Sequence, residues 1–187
     1  LLTYPVASLG ITLVCFTLLE SKKELLYKIK NIVFLSISWG FGYGAMWAGK
    51  WILSTIILHD NIITDAFNQI LMRSAHVQGE EHITTLDTWL RNVEFYFEKP
   101  YLIIILICIV FTFAGLLRNI RQLKSMMPQV IPFIVISVIP FVWYAFVGQH
   151  SYEHHWFTYR ALITSVFAGM CICAVFWKTI KNENGEL

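Results

Sequence analysis

Apolar residues run in five long blocks along the chain, at residues 1–19, 31–58, 101–117, 130–148 and 161–177, with few charges inside any of them. A bilayer core of about 30 Å takes about 20 such residues per helix, because every backbone N–H and C=O there must be bonded within its own segment. The pattern predicts an all-α integral membrane protein of about five transmembrane helices, one domain over residues 1–187. Residues 59–100 break the pattern, being too polar to enter a bilayer and too long for a simple turn. Within them Ile62, Ile63, Ala66, Phe67, Ile70 and Leu71 recur at helical spacing, with Asp65, Asn68 and Gln69 between. A second stripe joins Leu86, Trp89, Leu90, Val93 and Phe97, with Thr84 or Thr85 as its cap and Asp87 in its first turn. Two amphipathic helices lying in the membrane interface are predicted, joined by a loop at 74–83 that holds His76, Gly79 and His82. They either close the bundle or form a lid over a site beneath them.

Composition agrees with the pattern. The chain is 57% apolar and only 14% charged, where a water-soluble domain carries about 25% charged residues, and its mean hydropathy is +0.61. Disorder, a disulfide-stapled secreted module and a nucleic-acid binder are excluded, since they need polarity, dense cysteine and a basic surface respectively. The four cysteines, Cys15, Cys108, Cys171 and Cys173, fall inside the apolar blocks and read as small apolar residues.

Charge adds sidedness. Lys22, Lys23, Lys28 and Lys30 follow the first block, Arg118, Arg121 and Lys124 the third, and Lys178 and Lys181 the fifth, nine of the 14 Lys and Arg in three alternate segments. Residues 59–100 hold Arg73, Arg91 and Lys99 against seven acids, and residues 149–160 hold only Arg160. Short basic loops stay in the cytoplasm, so one orientation serves all five blocks: residue 1 outside, the tail inside, and 59–100 an extracytoplasmic loop. The chain opens already apolar, with neither Met nor a charged n-region, and is expected to be the C-terminal part of a longer protein.

Two places carry candidate chemistry. In the second block Ser36, Gly40, Gly44 and Ala48 recur every fourth residue, a row that lets another helix approach closely. Lys50 follows, flanked by Trp47 and Trp51. It is either a lysine snorkelling at a helix end or part of an anion site, with phosphate the natural anion at that depth. The second place is residues 149–160, Q-H-S-Y-E-H-H-W-F-T-Y-R, and all six histidines of the chain fall on the outer side. A helix beginning at Ser151 would put His150 and His154 on one face at i, i+4, and Glu153, Phe157 and Arg160 partly on another. Tyr152, Trp156 and Tyr159 would anchor it at the headgroups. Three readings stay open here. His150, His154 and Glu153 could hold a divalent metal. Arg160 could clamp a phosphate, with Lys50, His150, His154 and Tyr159 as further donors. Or the segment is an aromatic and histidine cap with no ligand. Nothing else in the chain requires a cofactor.

The string His150-Ser151-Tyr152-Glu153-His154-His155-Trp156-Phe157-Thr158-Tyr159-Arg160 after Val142-Trp143-Tyr144, together with Gly42-Tyr43-Gly44-Ala45-Met46-Trp47-Ala48-Gly49-Lys50-Trp51, resembles bacterial polytopic proteins of envelope-polysaccharide loci. These are similar to the GT-C superfamily of glycosyltransferases. The resemblance implies transfer of a sugar from a polyprenyl-phosphate carrier to an envelope glycan or lipid acceptor at the outer face of a bacterial cytoplasmic membrane. It also implies a catalytic carboxylate in an early outer loop, which would precede residue 1. Among acids present, Asp65, Glu80 and Glu81 are the substitutes. By the same resemblance Lys50, His150, His154 and Arg160 are candidates for the lipid-phosphate end. The alternatives are a transporter or flippase of a lipid-linked substrate, which should bury paired ionisable residues near the midplane, and a non-catalytic assembly subunit.

Overall fold

The computed structural model describes the backbone of residues 3–74, 77–78 and 81–178, and the side chains of 5–74, 83–98 and 102–178. Among the described residues the chain is helical apart from connecting turns and one antiparallel pair of two-residue strands. In order it forms α1 (Thr3–Leu19), α2 (Leu25–Leu58), α3 (Ile62–Ser74), β1 (Val77–Gln78), β2 (Glu81–His82), α4 (Thr85–Glu94), α5 (Lys99–Arg118), α6 (Leu123–Phe146), α7 (Gly148–Glu153), α8 (His155–Thr158) and α9 (Ile163–Trp177). Three helical segments are long and apolar enough to cross a membrane, Leu25–Leu58, Ile120–Phe146 and His155–Trp177. Thr85–Phe97 and Leu102–Arg118, meeting at 95°, make a fourth if read as one bent span, and Pro5–Leu19 is a shorter apolar helix. The protein is thus a helical membrane protein. The described residues of all five apolar blocks lie on helices, and among the described residues three helical segments meet the length and composition of a span as they stand.

The core sits where α1, α2, α6 and α9 converge, around Leu13, Val14, Ile32, Phe133, Ile136 and Ala168. Gly10 makes the closest approach possible: a Cβ on it would overlap the buried side chain of Thr164 on α9. α6 keeps its helix through Pro128, Pro132 and Pro140, and each proline withdraws one backbone donor. Ser165 of α9 donates to the Ser137 carbonyl at 2.6 Å, a polar tie between the two helices in this stretch. α5 lies against α9 from the other side, where the Asn119 amide donates to the Phe176 carbonyl at 2.6 Å and the Trp177 indole N–H to the Phe111 carbonyl at 2.8 Å.

α2 departs from expectation at its start. It begins at Leu25, so Lys28 and Lys30 belong to its first turns and not to the preceding loop, and Lys28 is buried. Its 34 residues reach about 51 Å, well beyond a bilayer core of about 30 Å. It ends as expected at Leu58, where His59 takes a left-handed conformation, φ 53°. The small-residue row does not receive a helix among the described residues, since a Cβ on Gly40 or Gly44 would meet nothing within 4 Å. α2 packs through the neighbouring stripe, whose larger side chains make the contact.

The topology gathers charge by ends. The turns after α1 and α5 and the end of α9 lie together, as the Asn119 to Phe176 bond shows, and carry the basic residues through Lys178. The other end carries α3, α4, α7 and α8.

Candidate functional site

The second end is organised by α4. Thr84 caps it with a full capping box, its hydroxyl accepting from the Asp87 N–H at 3.1 Å while the Asp87 carboxylate accepts from the Thr84 N–H at 2.9 Å. The Thr84 hydroxyl also donates to the Asp87 carboxylate at 2.6 Å, and this bond first, then the one from the Thr84 N–H, holds the Asp87 carboxyl below its ordinary value. The face of α4 turned inward is not the apolar stripe alone. Trp89 and Val93 do pack inward on the cluster around Tyr144 and Leu162, but Leu86, Leu90 and Phe97 are exposed. Thr88 and Asn92 are buried in their place. Asn92 donates to the Ser151 carbonyl at 2.9 Å and accepts the Thr158 hydroxyl at 2.7 Å, and the Tyr144 hydroxyl donates to the Thr158 carbonyl at 2.8 Å. The Trp89 indole donates to the Phe141 carbonyl at 3.0 Å. Polar bonds of this kind fix α4 on residues 148–162, and the sequence pattern alone did not disclose them.

Residues 148–162 are not the continuous start of the last helix. α7 stops at Glu153, His154 takes a non-helical φ of −106°, α8 occupies His155–Thr158, and a 3-10 turn, Tyr159–Leu162, leads into α9. His150 and His154 nevertheless meet, their rings 4.8 Å apart and steeply inclined at 78°. Glu153 does not join them in a ligand set: its carboxylate takes the Gln149 amide at 3.1 Å. Among the described residues no group of three His, Cys, Asp or Glu side chains is disposed to hold a metal ion. Arg160 lies over the rings of Phe157 at 5.1 Å and Tyr159 at 5.9 Å. Tyr159 stacks on Phe95 at 4.8 Å. Arg91 covers the Tyr152 ring at 4.3 Å and donates through Nε to His155 Nδ1 at 3.2 Å.

A cavity of about 520 Å³ opens between α2, α3 and the end of α6. Its wall is aromatic: Tyr43, Trp47 and Trp51 from α2, and Trp143 from α6. With Trp39 the α2 residues form a ladder at four-residue spacing, ring centroids 5.3, 6.2 and 6.1 Å apart in turn. Gly44 leaves the cavity open beside the ladder. The polar part of the lining is Gln69, Arg73 and Ser74 of α3, one face of that helix. Val147 closes the wall three residues before His150.

His150 is half-buried, with its Nε2 buried and lacking a hydrogen-bond partner among the described residues; the Trp47 indole nitrogen is in the same condition. Burial first, then the neighbouring His154 and Arg73, lower the His150 pKa to about 4. At neutral pH it is therefore an uncharged donor or acceptor and not the cation that a clustering of histidines implies. Lys50 is exposed and lies over the Trp47 ring at 5.3 Å. Asp65 is exposed in the first turn of α3. Glu80, His76 and the side chain of Glu81 lie outside the described residues. The structure thus unites His150 with His154, and Arg160 with Tyr159, while Lys50 stands apart on α2. Arg73 was not singled out from the sequence, although its place seven residues after Ala66 and four after Gln69 put all three on one helical face. The ladder was equally legible as W-x3-Y-x3-W-x3-W. Comparison of the chain with protein-family models, with curated proteins and with solved structures gives no match.

Proposed function

We propose that this protein recognises a polyprenyl-phosphate-linked sugar and transfers the sugar to an envelope glycan or lipid acceptor, in the manner of the GT-C glycosyltransferases its sequence resembles. In this reading it crosses a bacterial cytoplasmic membrane five times. Residue 1 and the α3–α4 and α7–α8 segments are outside and the tail is cytoplasmic, with α3 and α4 in the outer interface. The single observation that supports it is the aromatic cavity with a guanidinium on its lining. Ring faces and apolar side chains suit a prenyl chain or the apolar face of a sugar, and Arg73 suits a phosphate as a forked donor. Arg91, Arg160 and Lys50 are further cations at that end among the described residues. His150 supplies a neutral imidazole whose Nε2 is unoccupied.

The chemistry would break the bond between the sugar's anomeric carbon and the phosphate oxygen and form one to an acceptor hydroxyl oxygen. The hydroxyl proton goes to a carboxylate base, and polyprenyl phosphate leaves with its charge held by the guanidinium groups. Asp65, Glu80 and Glu81 are the candidate acids for that base.

Photolabelling of the full chain in membranes with a benzophenone-tagged polyprenyl phosphate tests the binding half. Label is expected in residues 43–51 and 66–74, displaced by unlabelled polyprenyl phosphate but not by polyprenol, and lost in Arg73→Gln. Equal displacement by polyprenol would remove the phosphate from the account. Transfer of radiolabelled sugar from the carrier tests the other half: Arg160→Ala should abolish it with membrane insertion intact, and transfer at the normal rate would contradict the clamp.

A further inference from the structure

At the opposite end of the bundle a second cavity, of about 430 Å³, is enclosed by α1, α2, α6 and α9. Its polar lining is Thr17, Ser21, Lys28, Gln129 and Lys178, and the remainder is apolar. Lys28 is unusual there, being 1% exposed. An ammonium group has three donors, and the one hydrogen bond Lys28 makes among the described residues is to the Ser21 carbonyl, at 2.9 Å. A buried ammonium is stabilised by pairing with an anion, and this cavity puts a second lysine, Lys178, on the same wall.

We infer that this cavity binds the phosphate headgroup of an anionic phospholipid from the leaflet facing that end, with Lys28 and Lys178 on the phosphate, Gln129 as a neutral donor and the acyl chains against the apolar wall. The site goes beyond the sugar-transfer reading and does not rest on it. Three observations converge. Lys28 and Lys178 sit on the wall of one cavity. The remainder of the wall is apolar, with Leu18, Phe133, Met170, Ala174 and Val175. The cavity lies at the end where Lys22, Lys23, Lys30, Arg118, Arg121 and Lys124 raise the positive potential, the setting in which basic pockets between membrane helices take lipid headgroups.

Native mass spectrometry of the full chain, stripped of lipid in neutral detergent, tests it with dioleoylphosphatidylglycerol, dioleoylphosphatidylcholine and inorganic phosphate as probes. The glycerol lipid should be retained in preference to the choline lipid. Lys28→Met and Lys178→Ala should each weaken it about fivefold, the worth of one lysine beside an anionic headgroup. Lys30→Ala, exposed and off the cavity wall, should leave it unchanged. If Lys28→Met does not fold, Lys178→Ala against Lys30→Ala carries the comparison. Equal retention of the two lipids, or equal losses in Lys178→Ala and Lys30→Ala, would overturn the site in favour of diffuse attraction. Inorganic phosphate that displaces the glycerol lipid and binds as tightly alone would overturn the lipid assignment in favour of a free anion.

Discussion

Replacing Asn92 by Ala should release α4 from the segment it holds. The side chain is fully buried and makes two bonds to other elements, donating to the Ser151 carbonyl at 2.9 Å and accepting from Thr158 at 2.7 Å. Each such bond contributes about 0.5–1.5 kcal/mol net, so the loss is about 1–3 kcal/mol, or about 5- to 150-fold in the opening equilibrium of α4. The loss stays inside this range because Thr158 keeps acceptors at the Ser151 and His154 carbonyls, both at 3.1 Å, and is not stranded. Amide hydrogen exchange in detergent, followed over residues 85–97 and 148–158, reads the opening directly. Leu90→Ala, at a side chain 59% exposed, is the control and should change exchange by less than about 0.5 kcal/mol. If Asn92→Ala exchanges like the wild type, or Leu90→Ala is the more damaging, the buried amide is not what holds α4 and the apolar stripe is.

Three further outcomes follow from named contacts. Gly10→Ala should lower the thermal midpoint by driving a methyl into Thr164, and Thr164→Ala should restore most of the loss, a coupling that a double-mutant cycle measures. Gly44→Leu should fold normally, since nothing lies within 4 Å of the new Cβ, yet reduce photolabelling by the prenyl probe because the side chain occupies the cavity; undiminished labelling would place the probe elsewhere. Acid should destabilise the end that carries α7 and α8. His150 titrates near 4 in the fold against an ordinary value of 6.5, so the unfolded chain binds the extra proton between these pH values. Stability is then lost as pH falls from about 6.5 towards 4. Thermal melts read by tryptophan fluorescence should show this slope in the wild type and a shallower one in His150→Gln.

What the residues disclosed in advance was what depends on burial in lipid. Five apolar blocks each became helix, and the end of α2 at Leu58 and the capping role of Thr84 were both readable, because hydrophobic length and cap chemistry are local properties. The early start of α2 at Leu25, which takes Lys28 and Lys30 into its first turns, was not, because it is set by packing. The row Ser36-Gly40-Gly44-Ala48 predicted a helix contact, but spacing shows only that a close approach is allowed. At 149–160 the composition drew attention to histidine and arginine, whereas the residues that knit the end together are Asn92, Thr158 and Tyr144, whose partners lie 59, 66 and 14 positions away in sequence. A lone buried Asn has no periodic signature. Neither has the helix break at His154, which set Arg160 over Phe157 and Tyr159.

The account turns on the aromatic cavity and its histidines facing outward while the basic cavity faces the cytoplasm. In a protein whose four native cysteines are replaced by serine, single cysteines at Glu153 and Lys30, both exposed, can be labelled with an impermeant maleimide in intact spheroplasts and in inverted vesicles. The account predicts that position 153 reacts only in spheroplasts and position 30 only in inverted vesicles. Reaction of position 153 solely in inverted vesicles would place the candidate site in the cytoplasm and contradict it.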